Sequence, residues 1–169
     1  GRAGLEAVLR SGLEVVAVLT HRDDPRENIW FGSVAELAAS KNIPVFAPDD
    51  INNAMWAGKI RSLAPDFLFS FYYRKMVKKA LLEIPRNGCL NLHGSLLPKY
   101  RGRSPINWAL LHGEKETGVT LHFMTPKPDD GDIVGQKKIA ISDDDTAKTL
   151  TDKAAKAAVE LLDETLPKL

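Results

Sequence analysis

The chain has 169 residues, 44% of them hydrophobic, which suits one domain able to bury a core. Its 23 Lys and Arg against 22 Asp and Glu leave a net charge of +1, which excludes the global basic field of a nucleic-acid binder. The lone Cys89 excludes an internal disulfide and a thiolate zinc cluster and fits the cytoplasm, while no signal segment or bilayer-spanning apolar run is present.

Leu5, Val8 and Leu9 repeat at helical spacing, and the β-branched run over 14–20 then reads as a buried strand. A polar loop over 21–28 follows. Ser33 is placed to cap a helix carrying Val34, Leu37 and Ala38, and 43–46 is a brief strand. Asp49 or Asp50 is expected to cap a helix with Met55, Ile60 and Leu63, and 66–71 reads as another buried strand. A short helix over 75–84 ends at Pro85, and 89–92 is a strand. Pro105 suits the first turn of a helix over 105–111. Strands over 119–124 and 133–141 flank a loop rich in proline and aspartate, and a helix runs from Thr146 to Leu166.

This alternation predicts an α/β fold, a Rossmann-like open, mostly parallel sheet with helices on both faces and ligands at the carboxyl ends of the strands. The last two strands, close in sequence, suit an antiparallel edge. A doubly wound domain usually opens on a strand, whereas Gly1-Arg2-Ala3-Gly4 runs straight into a helix. The leading strand is therefore expected to be missing. Gly1 and Gly4 echo a dinucleotide-binding turn only weakly, without a third spaced glycine.

The most informative run extends from Asn91 to Arg103 (NLHGSLLPKYRGR). Alternate strand residues face the same way, so Asn91 and His93 should project together from a strand end, beside a loop marked by Gly94 and Pro98. Asp129 lies in a second loop after the strand ending at Met124. A carboxylate can orient an imidazole, and an amide can donate to a developing oxyanion, a set suited to acyl-type transfer without a metal. The plainer alternatives stay open: a lone His is more often structural, Asn91 can cap a strand end, and Asp129 and Asp130 can form a turn with Gly131. Ser95 lacks the glycines of a nucleophile elbow, and Cys89 reads as buried filler. His21, His112 and His122 show no metal-ligand spacing and read as structural or solvated. Lys99, Arg101 and Arg103 form either a solvated loop or the seat of a phosphate-bearing ligand.

Asn91-Leu92-His93-Gly94-Ser95-Leu96-Leu97-Pro98, then Tyr100-Arg101-Gly102 and Asp129-Asp130-Gly131, resemble the signature of folate-dependent formyltransferases. With Arg103-Ser104-Pro105-Ile106-Asn107-Trp108 and Phe69-Ser70-Phe71-Tyr72-Tyr73-Arg74, the chain looks closest to the ArnA-type branch, the formyltransferase domains of bifunctional polymyxin-resistance proteins. The resemblance spans essentially the whole chain. It implies formyl transfer from 10-formyltetrahydrofolate to the amine of a UDP-amino sugar, UDP-4-amino-4-deoxy-L-arabinose, in lipid A modification. It implies a catalytic triad at Asn91, His93 and Asp129: His93 for proton traffic, Asn91 for the oxyanion, and Asp129 to raise the pKa of His93. Folate contacts would fall on Lys75, Met76, Val77, Arg103, Thr125, Pro126, Lys127 and Pro128, many through backbone groups. The implied organisation is a single catalytic N-terminal domain over 1–169, lacking the smaller β-rich C-terminal subdomain of that branch, with a possible fusion to a decarboxylase. Within the family, a methionyl-tRNA enzyme would need a basic surface, and a glycinamide ribonucleotide enzyme usually has Pro where Gly94 stands. Outside it, the alternative is a non-catalytic folate- or nucleotide-binding module, which would have no need for all three triad residues.

Overall fold

A computed structural model describes residues 1–21 and 32–169. The polar loop expected over 21–28 lies, apart from His21, outside the described residues. Helix α1 (Arg2–Arg10) leads to the short strand β1 (Val18–Leu19), then α2 (Val34–Ser40) to β2 (Val45–Phe46) and α3 (Ala54–Ser62) to β3 (Leu68–Phe71). After α4 (Lys79–Leu82) come β4 (Cys89–His93), α5 (Pro105–Leu111), the strands β5 (Glu116–Phe123) and β6 (Ile133–Ala140), and the long α6 (Ala147–Thr165).

The α/β architecture is as expected. β1 and β2 pair in parallel, as do β3 and β4, while β4, β5 and β6 follow one another antiparallel to close the sheet. Local chemistry sets several boundaries. The Ser33 hydroxyl accepts from the Glu36 N–H at the start of α2, and Thr146 and Thr149 form a reciprocal cap on α6. Pro105 opens α5. The cap of α3 is Asn53, whose side chain accepts from the Trp56 N–H, and not Asp49 or Asp50. Asp50 is used one turn earlier, where its carboxylate accepts from the Asn52 backbone N–H at 2.9 Å. Met55 faces solvent, so only Ile60 of the three expected apolar residues is fully buried.

Strand alternation divides the sheet between a core and a site. Leu90 and Leu92 of β4 and Val119 and Leu121 of β5 pack against Ala7 and Val8 of α1 and Leu150, Leu161 and Leu162 of α6. Each fully buried leucine there stabilises the fold by about 1.5–3 kcal/mol. The opposite parity of the same two strands, Asn91 and His93 with Thr120 and His122, faces away from that core. A second apolar cluster of Ile51, Ile60, Val77 and Leu81 lies against α3 and α4. β1 and β3 are not hydrogen-bonded to one another, and a cavity of about 860 Å³ is lined by both. The strand expected over 14–20 is only Val18–Leu19, because a single partner strand of two residues holds it.

Candidate active site

Two strands and two loops build the site. The antiparallel register sets Asn91 opposite His122 and His93 opposite Thr120, so four polar side chains share one sheet face. The β5–β6 connection then brings Asp129 over them. Its backbone takes a left-handed conformation, φ +50°, which Asp tolerates better than most residues.

Asp129 is the hub. Its Oδ2 accepts the Gly102 backbone N–H at 2.8 Å and lies 3.5 Å from His93 Nδ1. Its Oδ1 lies 3.4 Å from both Asn91 Nδ2 and His122 Nε2. The other ring nitrogens are fixed by backbone carbonyls: His93 Nε2 donates to Tyr100 O and His122 Nδ1 to Phe123 O, each at 2.8 Å. His93 therefore has an oxygen acceptor facing each ring nitrogen. His122 Nε2 also lies 3.2 Å from Asn91 Nδ2. His93 and His122 are both buried. Burial pushes the Asp129 carboxyl upward, but the His122 hydrogen bond, the Gly102 N–H and the nearby His93 outweigh it and hold the group below its ordinary value.

The loop after β4 is braced from beneath. Thr120 Oγ1 donates to Ser95 O at 2.6 Å and accepts from the Leu97 N–H and Gln136 Nε2 at 3.2 and 3.0 Å. Ser95 is buried, with its hydroxyl committed to Lys99 O at 2.5 Å, so it is no nucleophile. Of the loop cations, read as either a solvated loop or a phosphate seat, two are paired. Lys99 pairs with Glu114 at 3.1 Å and Arg101 with Asp130 at 2.7 Å, both partners supplied from beyond the loop. Arg103 is exposed.

The triad expected from the sequence, Asn91, His93 and Asp129, is thus brought together. His122, expected to be structural or solvated, joins it. Its signal was parity, since it stands two residues after Thr120 on an alternating strand. The residues expected to contact a folate lie in two segments. Val77 has its side chain buried with Ile51, Ile60 and Leu81, so only its backbone can meet a ligand. Met76 is exposed and its carbonyl accepts from Asn52 Nδ2 at 2.9 Å, while Lys75 Nζ donates to the Asp49 carbonyl. In the other segment Thr125 Oγ1 donates to Lys127 O at 3.0 Å, closing a turn that includes Pro126, and Pro128 follows. Met124, just before that turn, packs on the Val77 cluster and so draws the two segments together. Among the described residues, no group of three or more His, Cys, Asp or Glu side chains could hold a metal ion. Nor is any described helix long and apolar enough to cross a membrane.

Comparison with known proteins bears on this geometry. Residues 2–166 match the family described as formyl transferase. The phosphoribosylglycinamide formyltransferase from Bacillus halodurans is 28% identical and superposes with a TM-score of 0.85 over 98% of this chain and 88% of its own. The glycinamide ribonucleotide transformylase 1 from Geobacillus kaustophilus is 26% identical, with a TM-score of 0.78 over 98% and 89%. A formyltetrahydrofolate deformylase from Pseudomonas syringae pv. tomato, 20% identical, shares the fold with a TM-score of 0.81 over 99% of this chain and 57% of its own. With its family matched along nearly its whole length, the chain belongs to the formyl transferases.

Proposed function

We propose that this chain transfers a formyl group from 10-formyltetrahydrofolate to the primary amine of a small phosphate-bearing acceptor, with residues 1–169 acting as one catalytic domain. The observation that carries this reading is the convergence of Asn91, His93 and Asp129 at one end of β4, with His122 beneath them.

The chemistry follows from those groups. The acceptor nitrogen attacks the formyl carbon, a C–N bond forms, and the carbonyl electron pair moves to oxygen. Asn91 is held only by contacts of 3.2 and 3.4 Å, so its amide can turn to donate to that oxyanion. His93 takes the proton released by the amine and returns it to the folate nitrogen as the old C–N bond breaks. Asp129 fixes the ring and supplies a counter-charge while the imidazole carries the proton. Access to His93 Nε2 requires the Tyr100 carbonyl to give way, so the loop from Pro98 to Arg103 moves as substrate enters. Folate contacts are assigned to Lys75, Met76, Val77, Arg103, Thr125, Pro126, Lys127 and Pro128, with the Val77 contribution through its backbone. Holding two substrates together supplies much of the remaining acceleration.

Two acceptors have a specific observation behind them. The solved structures at 26–28% identity are glycinamide ribonucleotide enzymes, which favours that acceptor. The run with Gly94 in place of Pro, extended through Trp108, favours a UDP-amino sugar, UDP-4-amino-4-deoxy-L-arabinose. A methionyl-tRNA acceptor has neither support, because the net charge is only +1. The reading places the enzyme in the cytoplasm, where the buried Cys89 thiol, pushed up to about 11 by desolvation, stays inert. The test is formyl transfer from 10-formyltetrahydrofolate to glycinamide ribonucleotide and to UDP-amino sugars, by the native chain and by His93→Ala. Transfer to one acceptor that collapses on substitution is expected. An unchanged rate in the variant would remove the catalytic assignment, and folate binding without transfer to any amine would favour a binding module.

A further inference from the structure

Six non-glycine residues carry a positive φ among the described residues, and four of them surround the end of β4: Tyr72 at +60°, Tyr100 at +55°, Ser104 at +57° and Asp129 at +50°. A bulky aromatic in that conformation is an outlier, and such outliers persist where the surrounding structure holds them, most often at functional sites. Tyr100 offers its carbonyl to His93, Ser104 precedes α5, and Asp129 orients the triad. Tyr72 makes none of the triad's hydrogen bonds. It is the strained residue without an evident task.

Its place is set by β3. Phe71 pairs with Leu92 in the parallel ladder, so Tyr72 follows at the carboxyl end of both strands, level with His93. Neighbouring tyrosines part there. Tyr73 packs on the Ile51, Ile60, Val77 and Leu81 cluster, the side of the segments assigned to the folate. Tyr72 turns toward Gly94: a Cβ built on that glycine would lie 3.8 Å from the Tyr72 hydroxyl, and 3.4 and 3.9 Å from Pro105 Cγ and Ile106 Cγ1. Because β4 lies between β3 and β5, Tyr72 and Asp129 flank the His93 end of β4 from opposite edges. The residue is 52% exposed, yet packing desolvates its hydroxyl and pushes the pKa up, so the group stays a protonated donor at neutral pH. No hydrogen bond occupies that hydroxyl among the described residues. Its neighbours Pro105 and Ile106 are apolar, so a neutral oxygen suits the position better than a phosphate, whose charge costs far more to desolvate.

We propose that Tyr72 is a specificity-determining residue whose hydroxyl donates a hydrogen bond to a sugar hydroxyl of the amine acceptor, beside Gly94 at the end of β4. The inference rests on the formyl-transfer reading of the site and adds where the acceptor's sugar lies: at the β3 edge of His93, across from Asp129, with the missing side chain of Gly94 keeping the space open. An acceptor without a hydroxyl at that place leaves the desolvated donor unpaired, and so is disfavoured.

The test is Tyr72→Phe, which removes the hydroxyl and keeps the ring, with Tyr73→Phe as the neighbouring control. Equilibrium dialysis gives Kd for glycinamide ribonucleotide, UDP-4-amino-4-deoxy-L-arabinose, UDP and the unreactive 5-formyltetrahydrofolate, and transfer assays give KM and kcat. For the acceptor that the native chain binds, Tyr72→Phe should raise Kd and KM about 5–10-fold, with kcat and the folate Kd changed by less than about twofold. Tyr73→Phe should leave the acceptor Kd unchanged. An unchanged acceptor Kd in Tyr72→Phe, an equal loss in Tyr73→Phe, or a fall in kcat alone would each overturn the proposal. So would an equal loss for UDP, which would move the contact to the nucleotide. Binding that depends on Tyr72 without product from the native chain would remove the formyl-transfer reading and leave the contact standing. Product formed with binding indifferent to Tyr72 would do the reverse, and a native chain that binds neither acceptor would overturn both.

Discussion

β4 and β1 are both short apolar strands in parallel ladders, yet they sit in different environments. Leu90 and Leu92 of β4 are 0% and 4% exposed, with β3 and β5 on its two edges and α1 and α6 over one face. Val18 and Leu19 of β1 are only partly buried, with β2 on one edge and a cavity at the other. Composition cannot separate the two runs; the number of neighbours does. A strand contributes to stability through what covers it, and a catalytic group needs the half of the molecule where covering is complete.

The sharpest test of this contrast is His93→Ala. If the well-packed end of β4 holds the chemistry, the substitution should lower kcat about 10²–10⁴-fold in formyl transfer assays. Amide exchange in β4 and β5 should show that the fold survives. A rate within threefold of the native chain would move the site elsewhere and break the link between packing and catalysis.

Core truncation separates the halves by stability alone. Leu121, 0% exposed between β4 and β6 and against the α6 core, should lose about 2–5 kcal/mol on Leu121→Ala. Leu19→Ala, beside the open cavity, should cost about 1 kcal/mol or less, because its side chain is only partly buried. Denaturant titration of both variants gives the comparison directly, and equal losses would mean that the β1 edge is as well packed as β5.

The same contrast governs what could be read from sequence. Asn91, His93 and Asp129 were legible because strand alternation and loop position follow from local pattern, and Ser33, Pro105 and Thr146 mark helix starts through chemistry within one turn. The place of His122 beside Asp129 was not legible, because it depends on the register of β5 against β4, a non-local pairing. Lys99 and Arg101 suggested a phosphate seat because Glu114 and Asp130, their partners, lie outside the loop. Asp50 was a reasonable cap by type, but its turn with Asn52 left Asn53 to cap α3. The short reach of β1 could not be read from 14–20, where every residue suits a strand.

Asp129→Asn probes the packed half through pH. The native carboxyl is held below its ordinary value despite burial, by His122, Gly102 and His93, so the folded state binds its proton less readily than the unfolded chain. The resulting stability is fully present above the unfolded value, about 3.9, and is lost as pH falls through the lower folded value. Asn tolerates the positive φ and removes the charge. The stability gap between native chain and variant should therefore narrow on acidification from neutral pH toward pH 2, read from thermal midpoints. The variant should also lose about 10²-fold in rate, since His93 keeps no counter-charge. A gap that stays constant with pH would show that Asp129 acts only through shape.

A last contrast comes from two glycines, one in a paired strand and one on an open helix face. At Gly118 in β5, a Cβ would run into the Lys137 carbonyl and the Leu96 side chain. A backbone atom in a paired ladder cannot step aside, so Gly118→Ala should destabilise by about 1–3 kcal/mol. At Gly58 in α3, nothing lies within 4 Å of the Cβ position. There the substitution removes backbone freedom from the unfolded chain and adds no clash, so Gly58→Ala should stabilise by about 0.5–1 kcal/mol. Thermal midpoints that shift in opposite directions would show that space, and not residue type, sets the sign. A loss at Gly58 would mean that the helix α3 is packed more tightly than its surroundings indicate.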